Sequence, residues 1–350
     1  MTSGPQVSVC VGPGGVGKTT VSAALALCGA MAGQRACVVT IDPARRLADA
    51  LGTGELGNEP RLVRSGNLAW PGELWALMLD AQSTFDHLVG QYATTSAQAQ
   101  AILSNRVYRN ISAALSGTQE YMAVEKLFEL TESGNFDLVV VDTPPARHAL
   151  DFMEAPRHLL RLLDNRVFRL LMTPTRAGLR ALEAGAQVAL RALSKVAGGE
   201  VVADTVQFFT EFEGMEEGFR SRANRADELL RSASTNFVLV CSPRRDTVDE
   251  AVYLGAQLAS EGLEVATVVV NRCYPHYSAL APQTAANLAG GPLEALATNL
   301  AQLAVLSSKE QEQLARLKEA MPKAATYKVP FFAREVADLE ALLEVATYLR

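Results

Sequence analysis

The stretch VSVCVGPGGVGKTTVSAALAL, residues 7–27, joins an apolar run to a glycine-rich loop and then to a segment rich in Ala and Leu. Residues 12–19 fit the pattern G-x-x-x-x-G-K-[ST], directly after a predicted strand and directly before a predicted helix. Glycines let such a loop wrap closely, so that successive N–H groups point into an anion-binding nest at the positive end of the helix. The stretch therefore predicts a strand, a phosphate-binding loop and a helix.

Two side chains at the end of this loop complete the predicted phosphate site. Lys18 would neutralise charge on the β- and γ-phosphates of a nucleotide, and the hydroxyl of Thr19 would bind Mg²⁺. The cofactors implied are ATP or ADP with Mg²⁺. The predicted nucleotide-binding residues of the loop and the helix start are Gly14, Gly15, Val16, Gly17, Lys18, Thr19 and Thr20.

Apolar runs rich in Val, Ile and Leu outline the rest of the sheet. They lack apolar/polar alternation, which is typical of strands covered on both faces in a parallel sheet. Because strands alternate with helical patterns, as at 19–32 and 246–260, we predict an α/β fold with a doubly wound, mainly parallel sheet. The predicted strands cover residues 7–11, 36–41, 136–141, 236–240 and 265–270, with weaker candidates at 74–79 and 327–332.

Two segments, about 81–131 and 146–231, are too helical and too long to be simple crossovers. We interpret them as a helical subdomain of a single P-loop domain covering residues 1–350, because helices inserted after strand carboxyl ends lie where α/β proteins bind ligands. Extra core helices are the alternative, which the Leu spacing alone does not exclude. The pieces at 94–101 and 285–292 are interpreted as local loops.

Carboxylates at predicted strand ends supply the candidate metal residues. Asp142 follows four apolar residues in FDLVVVDTPP, the pattern of an aspartate that holds Mg²⁺ through water. Asp42 lies at the tip of the second strand, and Asp49 lies on the segment after it. An aspartate at a strand end also serves as a helix cap, and for Asp42, which precedes Pro43, that alternative stays open. The predicted metal residues are Thr19, Asp42 and Asp142.

Composition and charge narrow the classes of partner. The chain has 350 residues and a formal net charge of −6, which gives no broad basic surface for nucleic acid or anionic lipid. Its five cysteines include no CxxC pair and lie in or beside apolar runs, as expected for free, mostly buried thiols in a reducing compartment. We recognise no signal peptide and no transmembrane run, and therefore expect a cytoplasmic protein.

Five motifs occur in order over most of the chain: GGVGKTT, TIDPARRLADALG, VVVDTPPARHALDFMEAP, VVVNR and VPFFAREVADLEAL. Together they resemble the family of arsenite-pump ATPases and tail-anchored-protein targeting ATPases, in particular a bacterial member. The resemblance implies an ATP hydrolase that works as a dimer and as a nucleotide-driven switch, binding and releasing a partner such as a hydrophobic protein segment. It also implies that Asn271 in VVVN reads the adenine edge and that Pro330 in VPFF belongs to the loop that stacks on the base.

The resemblance assigns further roles within two switch segments. In DPARRLADAL, Asp49 falls on the aspartate that positions or deprotonates the attacking water, so that Asp49 and Lys18 are the predicted catalytic residues. Asp42 falls on an aspartate that supports magnesium indirectly. In DTPPARHAL, Asp142 is the magnesium-side aspartate and His148 matches a switch histidine. The alternative for Asp49 is a solvated helix residue, and the alternative for His148 is a packed or exposed histidine without a role in the switch.

Pro13 departs from the family pattern. Members commonly have G-K-G-G-V-G-K-T, whose first lysine crosses a dimer interface to touch the partner's phosphates. Proline offers neither a cation nor an N–H, so it cannot make that contact. Arg45, Arg46 and Arg147 in the switch segments are candidate substitutes, or they are plain surface arginines. Alternatively, the partner in the dimer is a related chain that bears the lysine. Both a homodimer and a heterodimer therefore stay open.

The second helical segment carries the candidate client-binding residues. Helix-in-groove recognition of a hydrophobic segment suits their apolar character, and packing against each other is the alternative. They are Leu159, Leu160, Leu163, Leu171, Met172, Phe208 and Phe209.

Two other functions stay open. A regulatory positioning ATPase of the Min/Par type would need a membrane- or DNA-binding surface, and the acidic end DLEALLEVATYLR makes membrane docking unfavourable. A P-loop enzyme that phosphorylates a metabolite would need an acceptor pocket with a general base, for which Asp49 is the one candidate.

Overall fold

The computed structural model describes residues 4–42, 46–64, 68–106, 108–109, 118–144, 146–165, 204, 207–208, 210–275, 286–288 and 290–350, with the backbone alone for 118 and 146–149. The chain divides into two compact units. The first contains Met1–Met78, Leu130–Leu150 and Arg231–Arg350, and the second contains Leu79–Glu129 and Asp151–Leu230.

The first unit is built on one eight-stranded sheet. Its strands are β1 (Gln6–Val11), β2 (Arg35–Thr40), β3 (Arg61–Leu62), β4 (Glu73–Met78), β5 (Leu138–Asp142), β6 (Thr235–Cys241), β7 (Val265–Cys273) and β8 (Ala325–Pro330). Their order across the sheet is β3-β4-β2-β5-β1-β6-β7-β8. Neighbours run parallel except for β3, which is antiparallel to β4.

Helices occur in both units, and all eight strands belong to the first. In the described ranges they are α1 (Lys18–Met31), α2 (Arg46–Ala50), α3 (Ala81–Tyr92), α4 (Ser96–Ser104), α5 (Thr118–Glu132), α6 (Ala146–Asp164), α7 (Glu216–Leu230), α8 (Arg245–Ser260), α9 (Glu294–Ala320) and α10 (Leu339–Ala346). None of these described helices combines the length and the apolar character that crossing a bilayer requires.

Helix α1 lies at the centre of the first unit. It packs against α10, β2 and β5, and its apolar residues share one buried cluster with side chains of the sheet such as Cys10, Val140 and Val240. Because successive strand residues point to opposite faces, Val9, Val141 and Leu239 are buried on the other side of the sheet. Burial on both faces explains why the strands read as unbroken apolar runs.

The α/β fold with a doubly wound, mainly parallel sheet is confirmed. All seven predicted strands are present, with bounds that differ by three residues or fewer, and the two-residue strand β3 was not predicted. The expectation of free thiols is also confirmed, since all five cysteines are unpaired and four of them are buried.

The interpretation of residues 94–101 as a loop is wrong. Residues Ser96–Ser104 form α4, whose N-cap Thr95 accepts a hydrogen bond from the backbone N–H of Gln98. Ala and Gln are good helix formers, and a threonine cap satisfies one of the N–H groups that a helix start leaves unpaired. Helix propensity and the cap therefore outweighed the polar composition.

The second unit has its own apolar core. Aromatic side chains dominate it, with Phe212 and Phe219 stacked at 5.1 Å between ring centroids and Phe85 packed edge-on to Phe219. Leu163 and Phe208, two of the candidate client-binding residues, are buried in this core. They are therefore packing residues, whereas Leu171, Met172 and Phe209 lie outside the described residues.

Candidate functional site

The glycine-rich loop connects β1 to α1 at the carboxyl edge of the sheet. Gly15 (φ 73°) and Gly17 (φ 93°) have left-handed backbone conformations, which glycine adopts without a steric penalty. Gly17 is the N-cap of α1, and no side chain caps this helix. The first N–H groups of α1 are therefore directed at a place where an anion can accept from them.

Lys18 lies inside the loop. Its Nζ donates to the carbonyl oxygens of Gly12 at 3.0 Å and Pro13 at 2.8 Å, and the residue is 8% exposed. Desolvation lowers the pKa of Lys18, while the nearby carboxylate of Asp142 acts in the opposite direction. Since an ammonium has three N–H donors, one remains for a ligand in the loop.

Asp142 ends β5 and is buried against the start of α1. Its Oδ2 accepts from the hydroxyl of Thr19 at 2.8 Å and from that of Thr40 at 2.9 Å, and its Oδ1 lies 3.5 Å from Ser22 Oγ. Burial raises the pKa of Asp142 to about 6, although the hydroxyl donors and Lys18 lower it. The structure thus brings Lys18, Thr19 and Asp142 together, although the hydrogen-bonded pair Thr19 and Asp142 is 123 positions apart in the sequence.

This donor set fits Mg²⁺. The hydroxyl proton of Thr19 is donated to Asp142, so the lone pairs of that oxygen stay available to a metal. The candidate metal ligands, the hydroxyl of Thr19 and the carboxylate of Asp142, offer hard oxygen atoms, which Mg²⁺ prefers. No cluster of three His, Cys, Asp or Glu side chains suited to a metal occurs among the described residues, so the remaining ligands would be water and phosphate oxygens.

Asp42, Arg46 and Asp49 of the first switch segment lie in the part of the chain that the structure describes. Asp42 follows β2, and its Oδ2 is 4.0 Å from the largely exposed guanidinium of Arg46. Asp49 is on the exposed side of the short helix α2, whose Leu47 is buried with α1. Arg45 lies outside the described residues, as do the side chains of Arg147 and His148. The roles of Asp42, Asp49, Arg45, Arg46, Arg147 and His148 stay predictions.

Pro13 is buried, and its carbonyl oxygen accepts from Lys18. The position that bears an interface lysine in the resembling family is therefore part of the interior of the loop. Pro13 therefore contributes packing and a backbone carbonyl acceptor rather than a charge.

A cavity of about 400 Å³ opens beside the loop, between the ends of β7 and β8. Its walls include Thr20 of α1 and both predicted base-binding residues, Asn271 and Pro330. Phe331 also lines it and stacks on Tyr274 with ring centroids 5.9 Å apart. A volume of this order is typical of small-molecule sites.

Asn271 has unused hydrogen-bonding capacity toward this cavity. Its Nδ2 donates to the carbonyl oxygen of Val16 at 2.9 Å, and its Oδ1 accepts from the backbone N–H of Arg272 at 2.9 Å. An amide has two N–H donors and two acceptor lone pairs, so one of each is left. Adenine presents the complementary pair, an amino donor beside a ring-nitrogen acceptor.

Sequence reasoning missed Thr40, Ser22, Arg272 and Phe331. Thr40 is paired in register with Asp142 across β2 and β5, and this pairing puts its hydroxyl on the carboxylate. A polar residue at the same strand end as Asp142 was the available signal. Ser22 lies one helical turn after Lys18, to whose carbonyl oxygen it donates. The contact of Arg272 with the loop depends on long-range pairing that no local pattern reports.

Replacing Gly17 by alanine tests the contact between the loop and β7. A Cβ on Gly17 would lie 2.4 Å from Asn271 Nδ2, so Asn271 would have to leave Val16. The matched variant Gly15→Ala has the same backbone strain but nothing within 4 Å of its Cβ. We expect Gly15→Ala to lower the free energy of unfolding by about 1–2 kcal/mol and Gly17→Ala by about 1–3 kcal/mol more, measured by urea titration. Equal losses would contradict the assigned contact.

Comparisons with known proteins show the family of this chain. Residues 6–288 match the family model described as anion-transporting ATPase. The ATPase get3 of Schizosaccharomyces japonicus is 25% identical over 97% of this chain and 90% of its own length. The ATPase ASNA1 homolog of Babesia bovis is 27% identical over 76% of this chain and 65% of its own. An uncharacterized protein of Streptomyces coelicolor is 30% identical over 75% of this chain and 61% of its own.

Proposed function

Because the chain belongs to the anion-transporting ATPase family and is an ATP hydrolase, we propose that it is a Mg²⁺-dependent switch that binds and releases a hydrophobic protein segment. One observation supports the proposal above all: Lys18, Thr19 and Asp142 meet where the glycine-rich loop enters α1. These are the groups that phosphoryl transfer needs to position phosphates and a metal.

Binding of the triphosphate is the first step that the site supports. The unpaired N–H groups at the start of α1 would donate to phosphate oxygens, and the third N–H of Lys18 would reach the β- and γ-phosphates. Thr19 and Asp142 would hold Mg²⁺, which when bound neutralises charge on the phosphates. Asn271 and Pro330 would hold the adenine in the cavity between β7 and β8.

Hydrolysis requires a group that positions water against the γ-phosphate. We propose that Asp49 does so, and its exposed place on α2 leaves its carboxylate accessible to water. Helix α2 packs on α1, the helix that begins at Lys18. A change in the phosphates at the start of α1 can therefore be passed to α2 through this contact.

We further propose that the protein acts in the cytoplasm as a dimer of identical or related chains, and that residues 81–131 and 146–231 form the client-binding subdomain of one ATPase domain. The resemblance to tail-anchored-protein targeting ATPases supports this assignment. Since Leu163 and Phe208 are buried packing residues, the client surface would be formed by other parts of that subdomain.

A nucleotide-dependent peptide assay tests the switch. The two states are the Asp49→Asn variant with Mg²⁺-ATP, which it should hydrolyse slowly, and the protein with Mg²⁺-ADP. A fluorescent 20-residue Leu-rich helical peptide should bind one of these states with a Kd at least tenfold lower than the other. A peptide of the same length with its leucines replaced by serine is the control. Equal binding of the Leu-rich peptide in both states would refute the switch, and failure to bind ATP with Mg²⁺ would refute the nucleotide site as well.

A further inference from the structure

Arg272 has an unusual backbone conformation. Among the described residues it is the one non-glycine residue with a positive φ, 65°. A left-handed conformation is unfavourable for a residue with a Cβ, and it persists only where the surrounding contacts stabilise it. Such residues are concentrated at functional sites, and the conformation of Arg272 therefore points to a function for the contacts that it makes.

The left-handed conformation places two successive side chains on the phosphate loop. In a regular strand, Asn271 and Arg272 would point to opposite faces of the sheet. Here the register between β7 and β8 shifts between Val270 and Cys273. As a result, Asn271 Nδ2 donates to the carbonyl oxygen of Val16 at 2.9 Å, and the Arg272 guanidinium donates to that of Gly15 at 3.0 Å.

Holding these two carbonyls fixes the direction of two N–H groups. In a planar trans peptide the C=O and the N–H point in opposite directions. With the carbonyls of Gly15 and Val16 turned toward the end of β7, the N–H groups of Val16 and Gly17 are turned away from it. These are residues of the predicted anion nest, so the two β7 side chains set the orientation of its donors.

Arg272 also brings a permanent positive charge to the loop. A guanidinium has five N–H donors and stays protonated at any physiological pH. Among the described contacts, the hydrogen bond to the Gly15 carbonyl oxygen links this cation to the loop. A cation on the Gly15 carbonyl also polarises the same peptide unit and makes the Val16 N–H a stronger donor.

We propose that Arg272 is a positioning residue for the β- and γ-phosphates of the bound nucleotide: it orients the peptide between Gly15 and Val16 and supplies, within the same chain, a cation to a loop in which Pro13 provides none. The inference rests on the proposed binding of Mg²⁺-ATP at this loop. Arg272 lines the cavity proposed for the base together with Asn271, and what distinguishes it from Asn271 is the contact of its guanidinium with the Gly15 carbonyl.

Three substitutions separate the charge, the hydrogen bond and the backbone. Arg272→Gly removes the side chain and relieves the left-handed strain, so its Tm should equal or exceed that of the wild type. Arg272→Gln keeps an N–H donor without the charge, and Arg272→Lys keeps the charge without the planar fork. Lys323→Ala is the control for net charge, because Lys323 pairs with Glu264 on the surface before β8.

Calorimetric titration with Mg²⁺-ATP and with AMP measures the effect. We expect the Kd for Mg²⁺-ATP to rise about tenfold or more in Arg272→Gly and Arg272→Gln, with partial recovery in Arg272→Lys, since charged hydrogen bonds are the strong ones. The Kd for AMP, which lacks the β- and γ-phosphates, should stay within about twofold, and Lys323→Ala should match the wild type.

Two results would overturn the role of Arg272. One is an unchanged Kd for Mg²⁺-ATP in both Arg272→Gly and Arg272→Gln. The other is an equal rise for Mg²⁺-ATP and AMP together with a lower Tm, which a merely structural residue would produce. In both cases the wild type still binds Mg²⁺-ATP, whereas a wild type that binds neither nucleotide would refute the proposed function itself.

Discussion

Replacement of Lys18 by alanine is expected to weaken binding of Mg²⁺-ATP by about 100-fold or more, since each charge-assisted hydrogen bond to phosphate contributes about 1.5–3 kcal/mol. Lys18 is the buried cation of the loop, and its Nζ already lies within 3.0 Å of two loop carbonyls. The ammonium is therefore fixed in place before a ligand arrives, and little side-chain entropy is lost on binding.

The stability of the nucleotide-free Lys18→Ala variant should change much less. The substitution removes two hydrogen bonds, but it also removes a buried charge whose desolvation is unfavourable, as its lowered pKa indicates. Calorimetric titration gives the affinity and thermal unfolding gives the Tm. The surface variant Lys323→Ala serves as the control for net charge. An Mg²⁺-ATP affinity within threefold of the wild type would be incompatible with the proposed phosphate site.

Replacement of Asp49 by asparagine should abolish turnover without abolishing binding. If Asp49 positions or deprotonates the attacking water, kcat should fall by about 100- to 10,000-fold. The Kd for Mg²⁺-ATP should stay within about threefold, because no described contact of the loop depends on this carboxylate. The side chain is exposed, so the free energy of unfolding should change by less than about 0.5 kcal/mol.

A steady-state phosphate-release assay with a parallel binding titration separates these two effects. Asp246→Asn is a matched control, since it exchanges an exposed carboxylate of α8 that is paired with Arg244. Turnover by Asp49→Asn at the wild-type rate would refute the assigned role. A loss of kcat and of affinity to the same degree would instead place Asp49 in nucleotide binding.

Local sequence patterns predicted most of the fold because each depends on residues close in the chain. An unbroken run such as VVV predicts a strand buried on both faces, and the glycine-rich loop predicts the strand before it and the helix after it. The error at 94–101 came from weighing polar composition above the helix propensity of Ala and Gln and the cap at Thr95. The two-residue β3 is too short to leave a pattern.

The candidate site was predictable where a residue belongs to a motif of its own. Lys18, Thr19 and Asp142 were predicted because each stands in a recognisable local context, and the structure places the Thr19 hydroxyl within hydrogen-bonding distance of Asp142, with Lys18 buried in the loop. Thr40 and Arg272 were not predicted, since no local sequence pattern marks either of them as a site residue. Their contacts arise from strand pairing, β2 with β5 for Thr40 and the shifted end of β7 for Arg272.

The sequence by itself determined the α/β class, the phosphate loop and membership of an ATPase family, because these are written in consecutive residues or in the order of motifs. The tertiary structure alone decided which distant side chains complete the loop. Val16 and Asn271 are 255 positions apart, and they meet because the sheet order places β7 two strands from β1 with parallel carboxyl ends at one edge. A contact between residues so far apart in the chain depends on the strand order of the whole sheet, and no short segment can encode it.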